Sequence, residues 1–292
     1  MPDIALRIGT VRAWLLDCGV FRYDGGLIFG AVPRATWERY YPPDADHLVP
    51  VGLRPLLIES GEGYVLVNTG LPPGDPGLPF DPPGYRPLEA ALRELGVRGE
   101  EIVAVVLTHL HPDHTGGSLT STDGALAPAF PAARYFVQRE EAAAAAFPNE
   151  RTRADYDPRQ LQVLDESGAL EVVAGTYRVN QHVWLVPAPG HTAGQQLVRI
   201  VSEGKSALYL SDLAIVPIQA ERLAWISALD IAPMQSLESK RELLGRAVEE
   251  ETLLLFEHEP DTSRSVGYLR PDGKRWRFEP SPGDLTRSLP RR

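Results

Sequence analysis

Three imidazoles and a carboxylate crowd into His109-Leu110-His111-Pro112-Asp113-His114, directly after the apolar run of residues 102–107. Side chains two apart on an extended backbone face the same side, so His109 and His111 can grip one cation. The turn forced by Pro112 lets Asp113 and His114 face a second. Imidazole nitrogen combined with carboxylate oxygen is the ligand set of zinc and similar borderline metals. Thr115-Gly116-Gly117 follows, where a Thr cap and small residues start a helix or let backbone approach the site closely. Three further residues of metal-ligand type stand at or near the ends of apolar runs. His191 lies in Pro189-Gly190-His191-Thr192-Ala193-Gly194, beyond residues 183–186; Asp212 follows residues 207–211; His258 follows residues 252–257.

The elements that must carry these residues are legible at coarse grain. Residues 11–16, 56–59 and 64–67 read as strands, with Glu62-Gly63 as a hairpin turn. Residues 71–87 hold seven prolines and read as an irregular loop. Residues 88–95 form a short helix ended by Gly96, and residues 140–147 an Ala-rich helix stopped by Pro148. The polar stretch 149–159 reads as a solvated loop. Residues 236–248 place Leu237, Leu244 and Val248 on one helical face, and residues 265–278 read as a hairpin about Pro271-Asp272-Gly273. His47 and His182 lack the strand-then-ligand pattern and read as loop residues outside the site.

With the HxHxDH box, the later Gly-His, the strand-end Asp and the late His in this order, the chain resembles the metallo-β-lactamase superfamily of hydrolases over residues 11–259. The resemblance implies an α/β fold, the four-layer αβ/βα sandwich. Residues 1–292 would form a single domain of two similar halves, its ligands on loops at one edge of two facing sheets. It also implies that His109, His111 and His191 hold one metal and Asp113, His114 and His258 the other, with Asp212 bridging. The cofactors are then two divalent ions, zinc first, with manganese, iron, cobalt or nickel accepted by the same ligands. In the implied chemistry a bridging hydroxide attacks, one ion receives the oxyanion and the other takes the leaving oxygen. Asp113 helps move the proton to that oxygen. The two ions, two carboxylates and hydroxide leave a net charge of about +1, which favours an anionic intermediate. Asn68-Thr69-Gly70 departs from the Asp-Thr-Gly common in the family, which puts in doubt the carboxylate that would steady a ligand there, although an amide can still orient one.

Substrate choice falls to the loops. Residues 25–33, with Trp37, Tyr40 and Tyr41, are similar to a segment of N-acyl homoserine lactonases and methyl parathion hydrolase-like enzymes. There the segment lines an apolar pocket and contributes to a dimer contact, which implies Phe29 and Trp37 on the pocket wall and a homodimer. Both also read as ordinary core. Ile215, Ile218, Trp225 and Ile226 form the opposing wall or, equally, core. Lactonases of this group often carry a Tyr where Ile215 stands, so the pocket lacks that donor unless Tyr23, Tyr209 or another residue replaces its hydroxyl. The favoured activity is hydrolysis of a lactone or ester, an acyl-homoserine lactone first. Phosphotriester or aryl ester hydrolysis is the alternative, as is a glyoxalase II-type thioesterase using Arg151-Thr152-Arg153 for glutathione carboxylates. A mononuclear iron dioxygenase would need only His109, His191 and Asp212. His111 disfavours the diiron electron-transfer relatives, which carry Glu there, and a degenerate binding scaffold is disfavoured because no ligand is missing.

Composition sets the bounds. A length of 292 and 43% hydrophobic residues suit one large globular unit. A net charge of −10 argues against a broad nucleic-acid surface and leaves a small-molecule substrate as the expected partner. No apolar run reaches 18 residues, so no membrane span is expected. The first residues lack a signal-peptide pattern, which points to the cytoplasm. The single cysteine, Cys18, forms no internal disulfide and reads as a small buried hydrophobe.

Overall fold

Two seven-stranded sheets face one another in the computed structural model, which describes residues 3–71 and 85–281. Most of the proline-rich loop expected at residues 71–87 lies outside the described residues. In the first sheet the spatial order is Ile4–Ile8, Val11–Leu15, Leu56–Ser60, Gly63–Val67, Ile102–Val106, Arg134–Gln138, Leu170–Val173. In the second it is Tyr177–Arg178, Val183–Pro187, Gln196–Ser202, Lys205–Tyr209, Leu253–Leu255, Val266–Asp272, Arg275–Pro280. Pairing turns parallel around Ile102–Val106 and between Lys205–Tyr209 and Leu253–Leu255.

Strand alternation explains the layering, because neighbouring residues point to opposite faces. Ala104 and Val106 enter the core between the sheets, together with Ala207 and Tyr209 from the other side. Val105 and Leu107 instead meet the helices Leu88–Glu94 and Pro158–Glu166 on the outer face of the first sheet. Leu208 and Leu210 meet helix Pro233–Glu249 outside the second. The result is helix, sheet, sheet, helix: the four-layer sandwich expected from the sequence.

Boundaries move by a few residues where local chemistry decides them. The hairpin expected to turn at Glu62-Gly63 turns at residues 61–62, and Gly63 enters the strand. Helix Pro233–Glu249 begins earlier because Pro233, lacking an N–H, fits its first turn. Leu244 is fully buried there, whereas Leu237 and Val248 are half-buried; Leu243 and Ala247 complete the inward face. The stretch 149–159 is not simply solvated: Tyr156 is buried, and Pro158 starts a helix running to Glu166. Cys18 is buried, and desolvation pushes its thiol up to about 12. No helix among the described residues is long and apolar enough to cross a membrane.

Candidate metal centre

Every ligand-type residue singled out in the sequence follows the C-terminal end of a strand. His109, His111, Asp113 and His114 come after Ile102–Val106, His191 after Val183–Pro187, Asp212 after Lys205–Tyr209 and His258 after Leu253–Leu255. Open α/β sheets bind ligands beyond such ends. Pro112 opens a single helical turn, Pro112–Thr115, that carries His114; its ring stays 4.0 Å from that of His109, while its Nε2 lies 3.2 Å from Asp212 Oδ1. Gly117 lets this loop press on the neighbouring one, since a Cβ there would stand 2.5 Å from the Thr69 carbonyl oxygen.

His109, His111 and His191 form one buried cluster, with ligand atoms within 4.8 Å of one another. His191 Nε2 stands 3.2 Å from His111 Nδ1. Its other nitrogen, Nδ1, donates to Asp230 Oδ1 at 2.9 Å, which leaves the Nε2 lone pair facing the cluster. His109 Nε2 is buried with no hydrogen-bond partner. Burial, reinforced by the neighbouring imidazoles, holds His109 and His111 well below the usual histidine range, so both are neutral.

The second cluster gathers around Asp212 Oδ1, which lies 3.2 Å from His114 Nε2 and 3.1 Å from His258 Nε2. Those two nitrogens are 3.3 Å apart. His258 Nδ1 is turned outward to the Gly52 carbonyl at 2.8 Å. The Asp212 Oδ2 oxygen faces the first cluster, 3.4 Å from His191 Nε2, so one carboxylate addresses both. Asp113 Oδ2 approaches from the open side, 3.5 Å from His114 Nε2 and 3.9 Å from His258 Nε2. Burial opposes charge on Asp212, but His258, His114 and His191 outweigh it and hold the carboxyl well below its usual range. Burial likewise opposes charge on His258, yet Asp212 pulls it up to about 9. His114 is raised against burial by Glu257, Asp113 and Asp212.

This donor set fits a pair of cations. In each cluster lone pairs of inward nitrogens and carboxylate oxygens converge, while outward ring nitrogens of His191 and His258 are already bonded to acceptors. A buried imidazole nitrogen without a partner is costly unless something electropositive meets it, and His109 Nε2 is such an atom.

Several supporting residues carried no readable signal. Glu257, adjacent to His258, is fully buried and groups with His114, Asp212 and His258 within 4.8 Å; its Oε2 sits 3.1 Å from His114 Nδ1, the ring nitrogen other than the one beside Asp212. Asp230 backs His191. Glu141, also fully buried, accepts from the backbone N–H of Leu110 at 3.0 Å and of Gly194 at 3.1 Å, and from the Tyr156 hydroxyl at 3.1 Å. It thereby joins the two loops that carry the first cluster. Gly194 is required there, because its Cβ would fall 2.2 Å from the Glu141 backbone nitrogen. His47 and His182 stay outside both clusters, beside Arg34 and the Val201 carbonyl.

A cavity opens above the clusters. His111, Asp113, Asp212 and His258 form its floor, and Phe21, Ile28, Val51, Leu71, Ile215 and Leu229 its apolar wall. Tyr23 and Asp155 are the further polar side chains on that wall. Ile215 is thus on the pocket, but Phe29, Trp37 and Trp225, expected there, are set back from it. Phe29 is fully buried and stacks on Trp37 at 5.1 Å, with Trp225 edge-on at 6.0 Å. On the short helix Gly25–Phe29 it is the neighbouring Ile28 that reaches the cavity, while Phe29 packs beneath it. Of the two tyrosines that could replace the hydroxyl missing at 215, Tyr209 is fully buried and donates to the Arg54 carbonyl at 3.0 Å, whereas Tyr23 lines the cavity.

The fold and the paired clusters define a class of enzyme. Residues 55–258 match the metallo-β-lactamase superfamily, and the chain belongs to it. It is a metal-dependent hydrolase. An N-acyl homoserine lactonase from a Bacillus species is 26% identical over 222 residues, covering 71% of this chain and 81% of that protein. A probable metallo-hydrolase of Mycobacterium tuberculosis is 30% identical over 179 residues, 54% of this chain and 55% of its own. Among solved structures, a probable metal-dependent hydrolase from Staphylococcus aureus superposes with a TM-score of 0.82 at 23% identity, covering 97% of this chain and 100% of that one. AidC, a dizinc quorum-quenching lactonase, superposes with a TM-score of 0.77 at 19% identity, covering 96% and 97%.

Proposed function

We propose that this chain opens the ring of an acyl-homoserine lactone or a closely similar neutral ester. His109, His111 and His191 would hold one divalent ion, zinc first, and His114, His258 and Asp113 a second, with Asp212 shared. The observation that carries the reading is the cavity, with ligand-type residues as its floor and an apolar wall interrupted by Tyr23 and Asp155. When bound, the ions would polarise the carbonyl and make a water more acidic.

The chain's own residues supply the rest. Asp212, with one oxygen toward each cluster, fixes the separation of the two positions. Asp113 Oδ2, on the open side, takes the proton of the attacking water and passes it to the ring oxygen as the acyl C–O bond breaks. The phenol of Tyr23 donates to the carbonyl oxygen as it gains charge. Burial first, and then Asp113, Asp155 and Asp212, raise its pKa, so it remains a donor at neutral pH. Asp155 accepts the amide N–H of the acyl arm, and the apolar wall receives the alkyl chain. The same carboxylate repels substrates that carry their own, which counts against a glutathione thioester. Arg151, a candidate to bind glutathione, instead donates to the Ala228 carbonyl at 2.8 Å. The sequence relationship to an N-acyl homoserine lactonase supports the choice of substrate.

The test is proton release by zinc-loaded protein on a long-chain acyl-homoserine lactone, with Asp212→Ala as control. Tyr23→Phe should lower kcat/KM by about 10²-fold, as expected for one oxyanion donor. An inert lactone alongside turnover of aryl esters or phosphotriesters would overturn the substrate; an unaffected Tyr23→Phe would overturn the donor.

A further inference from the structure

The environment of His114 departs from the simplest way to hold a ligand imidazole. Asn68 Oδ1 receives the Thr108 backbone N–H at 2.9 Å and the Thr108 hydroxyl at 3.0 Å. A backbone N–H can only donate, so this side of the amide is its oxygen. Its nitrogen therefore points the other way, 2.9 Å from His114 Nδ1 and 2.8 Å from Glu257 Oε2. An amide nitrogen accepts nothing. If His114 presents Nε2 to Asp212, its Nδ1 carries the hydrogen and needs an acceptor. Glu257 Oε2, at 3.1 Å, fills that need. Two N–H groups thus converge on one buried carboxylate oxygen.

A carboxylate at position 68 could serve Thr108 with one oxygen and His114 with the other. An amide can do only the first, and this chain has the carboxylate at 257 instead. We propose that Asn68 and Glu257 act as a split positioning pair: the amide fixes the loop through Thr108, and the carboxylate holds the His114 ring with Nε2 toward the second metal position. The pair rests on the reading of His114 as a ligand. Asn68 also sits at φ 60°, a left-handed conformation that Asn and Asp both tolerate, so the backbone does not dictate the amide. Restoring an aspartate at 68 alone would set two carboxylates face to face in a buried site, which they can share only by retaining a proton.

The test is a reciprocal exchange, read as affinity for zinc by competition with a chelating indicator on the full chain. Asn68→Asp alone and Glu257→Gln alone should each weaken the second zinc by about 10–100-fold, the usual effect of losing a residue that orients a ligand. The first zinc should be unchanged. In the double variant the aspartate accepts from Thr108 and His114 while the glutamine amide donates to it, so second-site affinity should return to within about threefold of wild type. Thermal melts of the metal-free variants separate misfolding from weakened binding, and recovery in the double variant is inaccessible to a purely structural role. Additive losses in the double variant, or a Glu257→Gln protein that binds both ions normally, would overturn the pair. His114→Ala tests the underlying reading. If it leaves the second zinc in place, ligand assignment and pair fail together; if it removes that zinc while the exchange stays additive, only the pair fails.

Discussion

At the scale of single residues, Lys240 shows how the site is supported at a distance. It lies on helix Pro233–Glu249, 2% exposed, and donates from Nζ to the Trp225 carbonyl at 2.7 Å. That bond pins the start of the segment leading to Asp230, the residue behind His191. Burial lowers the ammonium to about 8, with Asp230 opposing the shift only in part. Because the folded pKa lies below the unfolded value of 10.5, the charged form is penalised in the folded state. The penalty is complete below pH 8, where both states hold the proton, and it disappears as pH rises towards 10.5. Stability relative to a Lys240→Met variant should therefore shift in favour of wild type by about 3 kcal/mol between pH 7 and pH 10.5. Urea unfolding of both proteins across that range checks it, and using the difference cancels the titration of every other group. A flat difference would mean that the ammonium keeps its charge inside the fold.

At the scale of elements, helix Arg139–Ala146 acts as a staple through Glu141, whose three donors come from three different segments. Glutamine there would turn an N–H₂ toward one of those donors. Glu141→Gln should therefore lose about 2–3 kcal/mol of stability and weaken zinc at the first cluster, since the Leu110 N–H lies between His109 and His111. Denaturant midpoints and a zinc titration of the same variant decide this; if both match wild type, the staple is idle. The helix itself is legible from its alanines and the following Pro148. Its role is not, because Leu110 and Gly194 lie 31 and 53 residues away and sequence periodicity reports only local facing. The same limit explains Tyr156, hidden in a polar stretch that resembles solvated loop yet packs its ring against His111 at 5.7 Å. The ligand-type residues were readable for the opposite reason: each stands at or near the end of an apolar run, so strand and strand-end residue appear close together. Phe29 and Trp37 show the converse, since aromatic composition alone does not reveal which neighbour faces the cavity and which packs behind it.

At the scale of the whole molecule, each cluster straddles the two halves. His109, His111 and His114 belong to the first sheet's loops, whereas His191, Asp212 and His258 belong to the second's. Bound ions would therefore cross-link the sandwich at its edge, adding to the apolar core between the sheets. An ion that binds only the folded state stabilises it by RT ln(1 + [L]/Kd), about 4 kcal/mol per site when free metal exceeds Kd a thousandfold. Dialysis against a chelator should thus lower the melting temperature in one cooperative transition, and adding zinc back should restore it in proportion to the logarithm of free zinc. Without ions, the lone pairs of imidazoles from both halves converge around the buried Asp212 carboxylate, so the edge of the sandwich should open before its core. Hydrogen exchange in the metal-free protein would then be fastest at the loops around residues 109–114 and 188–194, while Val198 and Ile200, deep between the sheets, stay protected. Equal protection at the edge and in the core would mean that the apolar interface alone holds the halves together and that the ions serve chemistry without serving the fold.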